Sequence, residues 1–141
     1  MAAVNTRRVI LGAFVGGVVW TAWTVAVNMG ILESRYVAEG AAGHILKQPR
    51  YPLFVVFWMV TLFALSFIFS WLYASVRATR GAGPKTALAL GVMLGFAIAF
   101  PENLVQAAWS PLPRTIPLWW MLDLWVGAIL STFVSAWIYK D

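Results

Sequence analysis

Four long apolar runs leave this chain almost no way to fold in water. Val9 to Leu32 carries no charged side chain, and neither does the stretch from about Pro52 to Val76, between Arg50 and Arg77. A third run extends from about Thr86 to Trp109, interrupted by Pro101 and Glu102, and a fourth from about Pro117 to Tyr139 with one acid, Asp123. A helix needs about 20 mostly apolar residues to cross a bilayer, and every run meets that length. With 62% of its 141 residues hydrophobic and 11% charged, the chain has more apolar surface than a soluble interior of this size can hide. The expectation is an all-α integral membrane four-helix bundle: one membrane domain over residues 1–141, with spans at about 9–32, 52–76, 86–109 and 117–139. Short connections make neighbouring spans antiparallel. The segment 33–51 has room for a short surface helix ending before Pro49.

Composition removes several classes of chemistry. There is no cysteine, so disulfides, thiolate metal sites and thiol redox chemistry are absent. One histidine, His44, rules out a multi-histidine metal site within a single chain. The ten Lys and Arg lie between the apolar runs and form no basic patch on one face, so no nucleic-acid partner is expected. No cofactor is expected either. The partners implied are the lipid bilayer and, within it, other membrane subunits or a second copy of the chain.

Positive charge flanking the spans sets their direction. Arg7, Arg8, Arg77, Arg80, Lys85 and Lys140 fall on one side, and Arg35, Lys47, Arg50 and Arg114 on the other. The first set is larger and closer to the span ends, which predicts both termini inside, with the 33–51 loop and the 110–118 turn outside. Thr6-Arg7-Arg8 resembles a twin-arginine export signal, but the run behind it is long enough to span and holds Trp20 and Trp23. The arginines therefore read as an inner-face anchor. Trp109, Trp119, Trp120, Tyr36 and Tyr51 fall at the outer ends, and Trp71, Tyr73, Trp137 and Tyr139 at the inner ends. Rings with one polar edge prefer the headgroup level, so two belts account for most of the nine Trp, ahead of pigment or quinone stacking.

Burial alone does not hold helices together in lipid; close approach through small residues does. Span three carries Ala87, Gly91, Gly95 and Ala99 at four-residue spacing. Span four carries Asp123, Gly127, Ser131 and Ser135, and span one Gly12 and Gly16. Such stripes bury within one bundle or join copies of it, and the spacing fits both. Span two is rich in Phe and Leu and suits a ring-filled core, lipid or a partner.

Ionisable groups inside a span cost about 2.5–3.5 kcal/mol on insertion scales and mark candidate sites. Glu102 lies roughly 24 Å along its outward-running span and Asp123 roughly 9 Å below the outer end of the next. Asn28, Asn103 and Gln106 fall at a similar level, and Pro101 loosens the turn before Glu102. A polar cluster of Asn28, Glu102, Asn103, Gln106 and Asp123 is expected near the outer mouth, with Arg114, Arg35, Arg50 or His44 as counter-charge. It reads either as a cation, proton or polar-headgroup site opening outward, or as acid–arginine and amide bonds that hold the bundle's outer end.

Three stretches resemble a family of small, largely uncharacterised bacterial membrane proteins with four spans. They are Lys47-Gln48-Pro49-Arg50-Tyr51-Pro52 before span two, Gly91-x-x-x-Gly95 running into Pro101-Glu102-Asn103-Leu104, and Trp119 to Asp123 entering span four. The resemblance covers about the last hundred residues. It implies the fold and a bacterial inner membrane, and no activity.

Among functional classes, an accessory or assembly subunit of a larger membrane complex fits best: the chain is small, lacks a catalytic set and carries an aromatic span. A small oligomeric transporter or channel using Glu102 and Asp123 is the alternative. A lipid-modifying enzyme has the thinnest support, since its inventory would be two acids, one histidine and loop arginines.

Overall fold

The computed structural model describes residues 4–139 and contains helices only: α1 (Thr6–Val27), a π-helical turn (Asn28–Leu32), α2 (Glu33–Ala42), α3 (Phe54–Arg80), α4 (Pro84–Trp109) and α5 (Thr115–Ile138). Four of its helical stretches are long and apolar enough to cross a membrane. The first is longer than the sequence suggests. α1, the π-turn and α2 run together as one rod over Thr6–Ala42, 37 residues and so about 55 Å, against a hydrocarbon core of about 30 Å. The helix expected within 33–51 is thus α2, a continuation of the first span.

Local chemistry sets the boundaries. The Asn5 side chain accepts a hydrogen bond from the Arg8 N–H at 3.2 Å and caps α1. α2 stops at Gly43, whose φ of +81° is left-handed, and the His44 N–H reaches back to the Glu39 carbonyl at 3.0 Å. The tight α3–α4 turn needs Gly81 and Gly83, at φ +87° and +133°, and Pro84 then opens α4.

The first and last described residues meet at one end of the bundle, where the Asn5 N–H donates to the Tyr139 hydroxyl at 2.9 Å. Val9, Tyr73, Ala74, Ala87 and Tyr139 form a buried cluster there, with the Arg77 guanidinium 4.8 Å from the Tyr139 ring centre. Trp20, Leu62, Phe69 and Ala128 fill the middle, and Val27, Leu32 and Ile116 the distal end, under Trp23, Tyr36, Trp119 and Trp120. Helix α5 packs on all three other long helices, and most extensively on α4 and α1.

The small-residue stripes are seams within the single chain. A Cβ on Gly91 would stand 2.9 Å from the Ile129 Cα, and one on Gly95 2.9 Å from the Ala128 Cβ. Gly12 abuts Ser70 and Ser135, Gly16 abuts Ser131 and Ser135, and Gly127 lies under the Trp20 indole. Ala87 and Ala99 are buried in the same stripe of α4. Serines complete these seams. Ser66 and Ser131 pair at 2.7 Å, Ser70 donates to the Val9 carbonyl at 3.0 Å, and Ser135 to the Gly12 carbonyl at 2.9 Å.

Helix α3 directs half of its rings outward: Phe54, Phe57, Phe67 and Trp71 are exposed, Trp58 and Phe63 half-buried, and Phe69 and Tyr73 buried. The tryptophans divide differently from two belts. Trp109 and Trp137 are exposed at helix ends, and Trp71 is exposed along α3. Trp23 and Trp125 lie inside and donate to the carbonyls of Asp123 and Val92, both at 3.1 Å. Indole N–H groups thus serve as interhelical ties as well as surface anchors.

Candidate functional site

The distal third of the bundle holds a buried carboxylate. Asp123 projects from the third turn of α5 and is 3% exposed. Its Oδ1 accepts from the Thr24 hydroxyl at 2.9 Å, and its Oδ2 from the Asn28 amide at 3.1 Å. The Asn28 amide also donates to the Thr24 carbonyl at 2.9 Å, which anchors it on its own helix. The Asn28 carbonyl oxygen accepts from the Tyr36 hydroxyl at 2.6 Å, and the Tyr36 oxygen accepts from the Trp120 indole N–H at 2.6 Å. Every donor in the series Trp120, Tyr36, Asn28 points toward the carboxylate, so each bond polarises the next.

The π-turn makes this alignment possible. In an unbroken α-helix, residues eight apart stand about 80° round from each other. The wider i→i+5 closure of a π-turn absorbs about one extra residue. Asn28 and Tyr36 therefore lie as an i, i+7 pair would, about 20° apart. Helical side chains lean toward the N-terminus, which carries the Tyr36 ring back down onto Asn28.

The structure brings Asn28 and Asp123 together and places the other candidates elsewhere. Glu102 is exposed on the outward side of α4, and its Oε1 accepts from the Gln106 amide at 3.0 Å. Asn103 is 6% exposed but donates to the Ala99 carbonyl of its own helix at 2.7 Å. The expected meeting of Glu102 with Asp123 does not occur. Consecutive helical residues differ by about 100°, so with Asn103 turned inward on the seam its neighbour is turned out. Arg114 is exposed at the start of α5, Arg35 donates to the Thr115 hydroxyl at 3.3 Å, and His44 pairs with Glu39 at 2.7 Å. Lys47 and Arg50 are exposed in the loop after α2. Among the described residues no basic side chain forms an ion pair with Asp123; neutral donors satisfy it instead.

Three members of the network were not among the sequence candidates. Thr24 was legible as the i−4 partner of Asn28 in an otherwise apolar run. Tyr36 and Trp120 were read as membrane-interface rings, and only the π-turn reveals their role. Two cavities, of about 730 and 480 Å³, lie at the terminal end and not at the carboxylate. The larger is lined by Asn5, Arg7, Arg8 and Phe14 and the smaller by Tyr73, Arg77, Trp137 and Tyr139.

Chemically, the arrangement ties the first helix to α5 through a carboxylate, two neutral donors and a tyrosine–tryptophan pair. A carboxylate has about four lone-pair positions, which leaves acceptor capacity beyond Thr24 and Asn28. No family model matches the chain, and no curated protein or solved structure matches it.

Proposed function

We propose that this chain is a multi-pass protein of a bacterial inner membrane, with both termini cytoplasmic, that acts as an accessory or assembly subunit of a larger membrane complex. The observation that carries the reading is how the side chains are divided. The hydroxyls and amides of Thr24, Asn28, Ser66, Ser70, Ser131 and Ser135 join the chain's own helices. The aromatic row Phe54, Phe57, Phe67 and Trp71 of α3 faces outward. Such a body is a self-contained scaffold with ring-rich surfaces available to lipid, pigments or neighbouring subunits. The test is the mass and composition of the protein extracted gently from its native membrane. Stable migration with other polypeptides supports the reading; migration as a single species overturns it.

A second reading, a small oligomeric transporter or channel, draws on Asp123: a buried carboxylate satisfied by neutral donors is suited to exchange a proton or a small cation. Here Asp123→Asn abolishes flux in reconstituted vesicles. Flux by that variant equal to wild type removes this reading.

A further inference from the structure

Pro101-Glu102 sits in the distal half of α4. The inward stripe of this helix is Ala87, Gly91, Gly95, Ala99 and Asn103, all buried. On its surface Val105, at 55% exposed, and Trp109, at 86%, stand within about 60° of Glu102. Glu102 is exposed among them. That is an unusual place for an acid if the helix faces only lipid. Ionisable groups within a span almost always face the bundle interior or a water-filled cavity.

Position makes the anomaly sharper. α4 has 26 residues, about 39 Å, and Glu102 lies seven residues, about 10 Å, before its distal end. Centred on a hydrocarbon core of about 30 Å, the helix places Glu102 about 6 Å inside it. α4 runs toward the distal surface, so the Cα–Cβ bond of Glu102 leans back toward the membrane interior. The acid therefore has no short route to headgroups.

Apart from the Gln106 amide, the polar groups near Glu102 are acceptors. Glu102 Oε1 takes the Gln106 amide at 3.0 Å, and the other carboxylate oxygen has no donor among the described residues. Pro101 has no N–H, so it cannot supply the usual helical hydrogen bond to the carbonyl of Ala97, another exposed residue of α4. Backbone and side-chain acceptors in hydrocarbon require a donor. A second copy inserted the same way would set Glu102 against Glu102 at equal depth, where two ionised carboxylates repel and pair only by taking up a proton, whereas a basic side chain pairs with the carboxylate directly.

We propose that the outward face of α4 around Glu102 docks a membrane-spanning helix of another subunit that carries a basic side chain at that depth. The carboxylate receives the lysine or arginine. This rests on the membrane-subunit reading and names the face and the chemistry of the partner.

The test reconstitutes the full chain, labelled through Pro111→Cys just past α4, into phosphatidylcholine vesicles. The probe is a labelled synthetic leucine-rich helix of about 20 residues with a single arginine at the depth of Glu102. Energy transfer should report association at least tenfold tighter than for the same peptide with leucine in place of arginine. Glu102→Gln, which keeps a hydrogen bond to Gln106 open, should reduce it to the leucine level with unchanged melting temperature. Glu102→Lys should transfer the preference to an aspartate-bearing peptide. Equal association of the arginine and leucine peptides, or of wild type and Glu102→Gln, overturns the proposal. Self-association of the wild type that Glu102→Gln abolishes makes the occupant a second copy and also overturns it. The two readings fail separately. A native complex that survives Glu102→Gln keeps the subunit reading and removes this face. Peptide pairing by a chain that migrates alone in native extracts does the reverse.

Discussion

The indole of Trp20 occupies the space in which a side chain at position 127 would stand. Trp20 is fully buried, tilted against Phe69 at 5.7 Å between ring centres, and packed in one cluster with Leu62 and Ala128. The ring has no vacant direction in which to move, so α1 and α5 can approach only while residue 127 lacks a Cβ. Gly127→Ala should cost about 1–3 kcal/mol as an overpacked core. Thermal unfolding in detergent reads it. Gly40→Ala is the control: nothing lies within 4 Å of a Cβ there, and helix propensity should raise stability by about 1 kcal/mol. Equal melting of wild type and Gly127→Ala would show that the seam is looser than described.

The Asp123 network should behave as one unit. Asp123→Asn keeps one acceptor oxygen but turns the other position into an amide donor that faces the Thr24 or the Asn28 donor, and Tyr36→Phe strands the Trp120 N–H and the Asn28 carbonyl oxygen. Each should cost about 1–3 kcal/mol. Because both act through Asn28, the double variant should fall short of the sum by about 0.5 kcal/mol or more. Strict additivity in a double-mutant cycle would mean that the two ends of the network are independent.

Ser66 and Ser131 make a simpler pair. Either alanine alone leaves a buried hydroxyl without its interhelical partner, at a cost of about 1 kcal/mol, whereas replacing both removes the donor and the acceptor together. The double variant is expected to melt closer to wild type than the worse single. A double variant clearly below both singles would contradict that assignment.

Topology is accessible because the chain has no native cysteine. A cysteine at Leu46, exposed in the loop after α2, should react with an impermeant thiol reagent added to intact cells, and one at Ala78, near the opposite end of α3, should not. The reverse pattern would invert the proposed orientation.

The number of long apolar helices and the stripes of α1, α4 and α5 were readable because length and small-residue spacing are properties of single helices. What was hidden depends on rotation about the helix axis. In lipid both faces of a span are apolar, so hydrophobicity does not show that Asn103 turns inward while Glu102 turns out. Nor does spacing show that Asn28 reaches Tyr36, since that follows from a π-turn with no residue signature beyond Gly30 within it. The tryptophans illustrate the same limit. Trp109 and Trp23 both lie toward the distal ends of their helices, yet the first is 86% exposed and the second ties α1 to α5.

The pairing of α1 with α5 has a consequence for biosynthesis. Of the helices described, α1 emerges first from the ribosome and α5 last, yet Gly12, Gly16, Thr24 and Asn28 find their interhelical partners on α5. In the membrane-protein reading proposed above, the first helix waits with a threonine and an asparagine unmatched across its seam until that last helix enters the bilayer. Chains stalled or truncated before about residue 123 therefore leave that polar pair exposed on an otherwise apolar face of the helix, and the bundle closes only once α5 is in place.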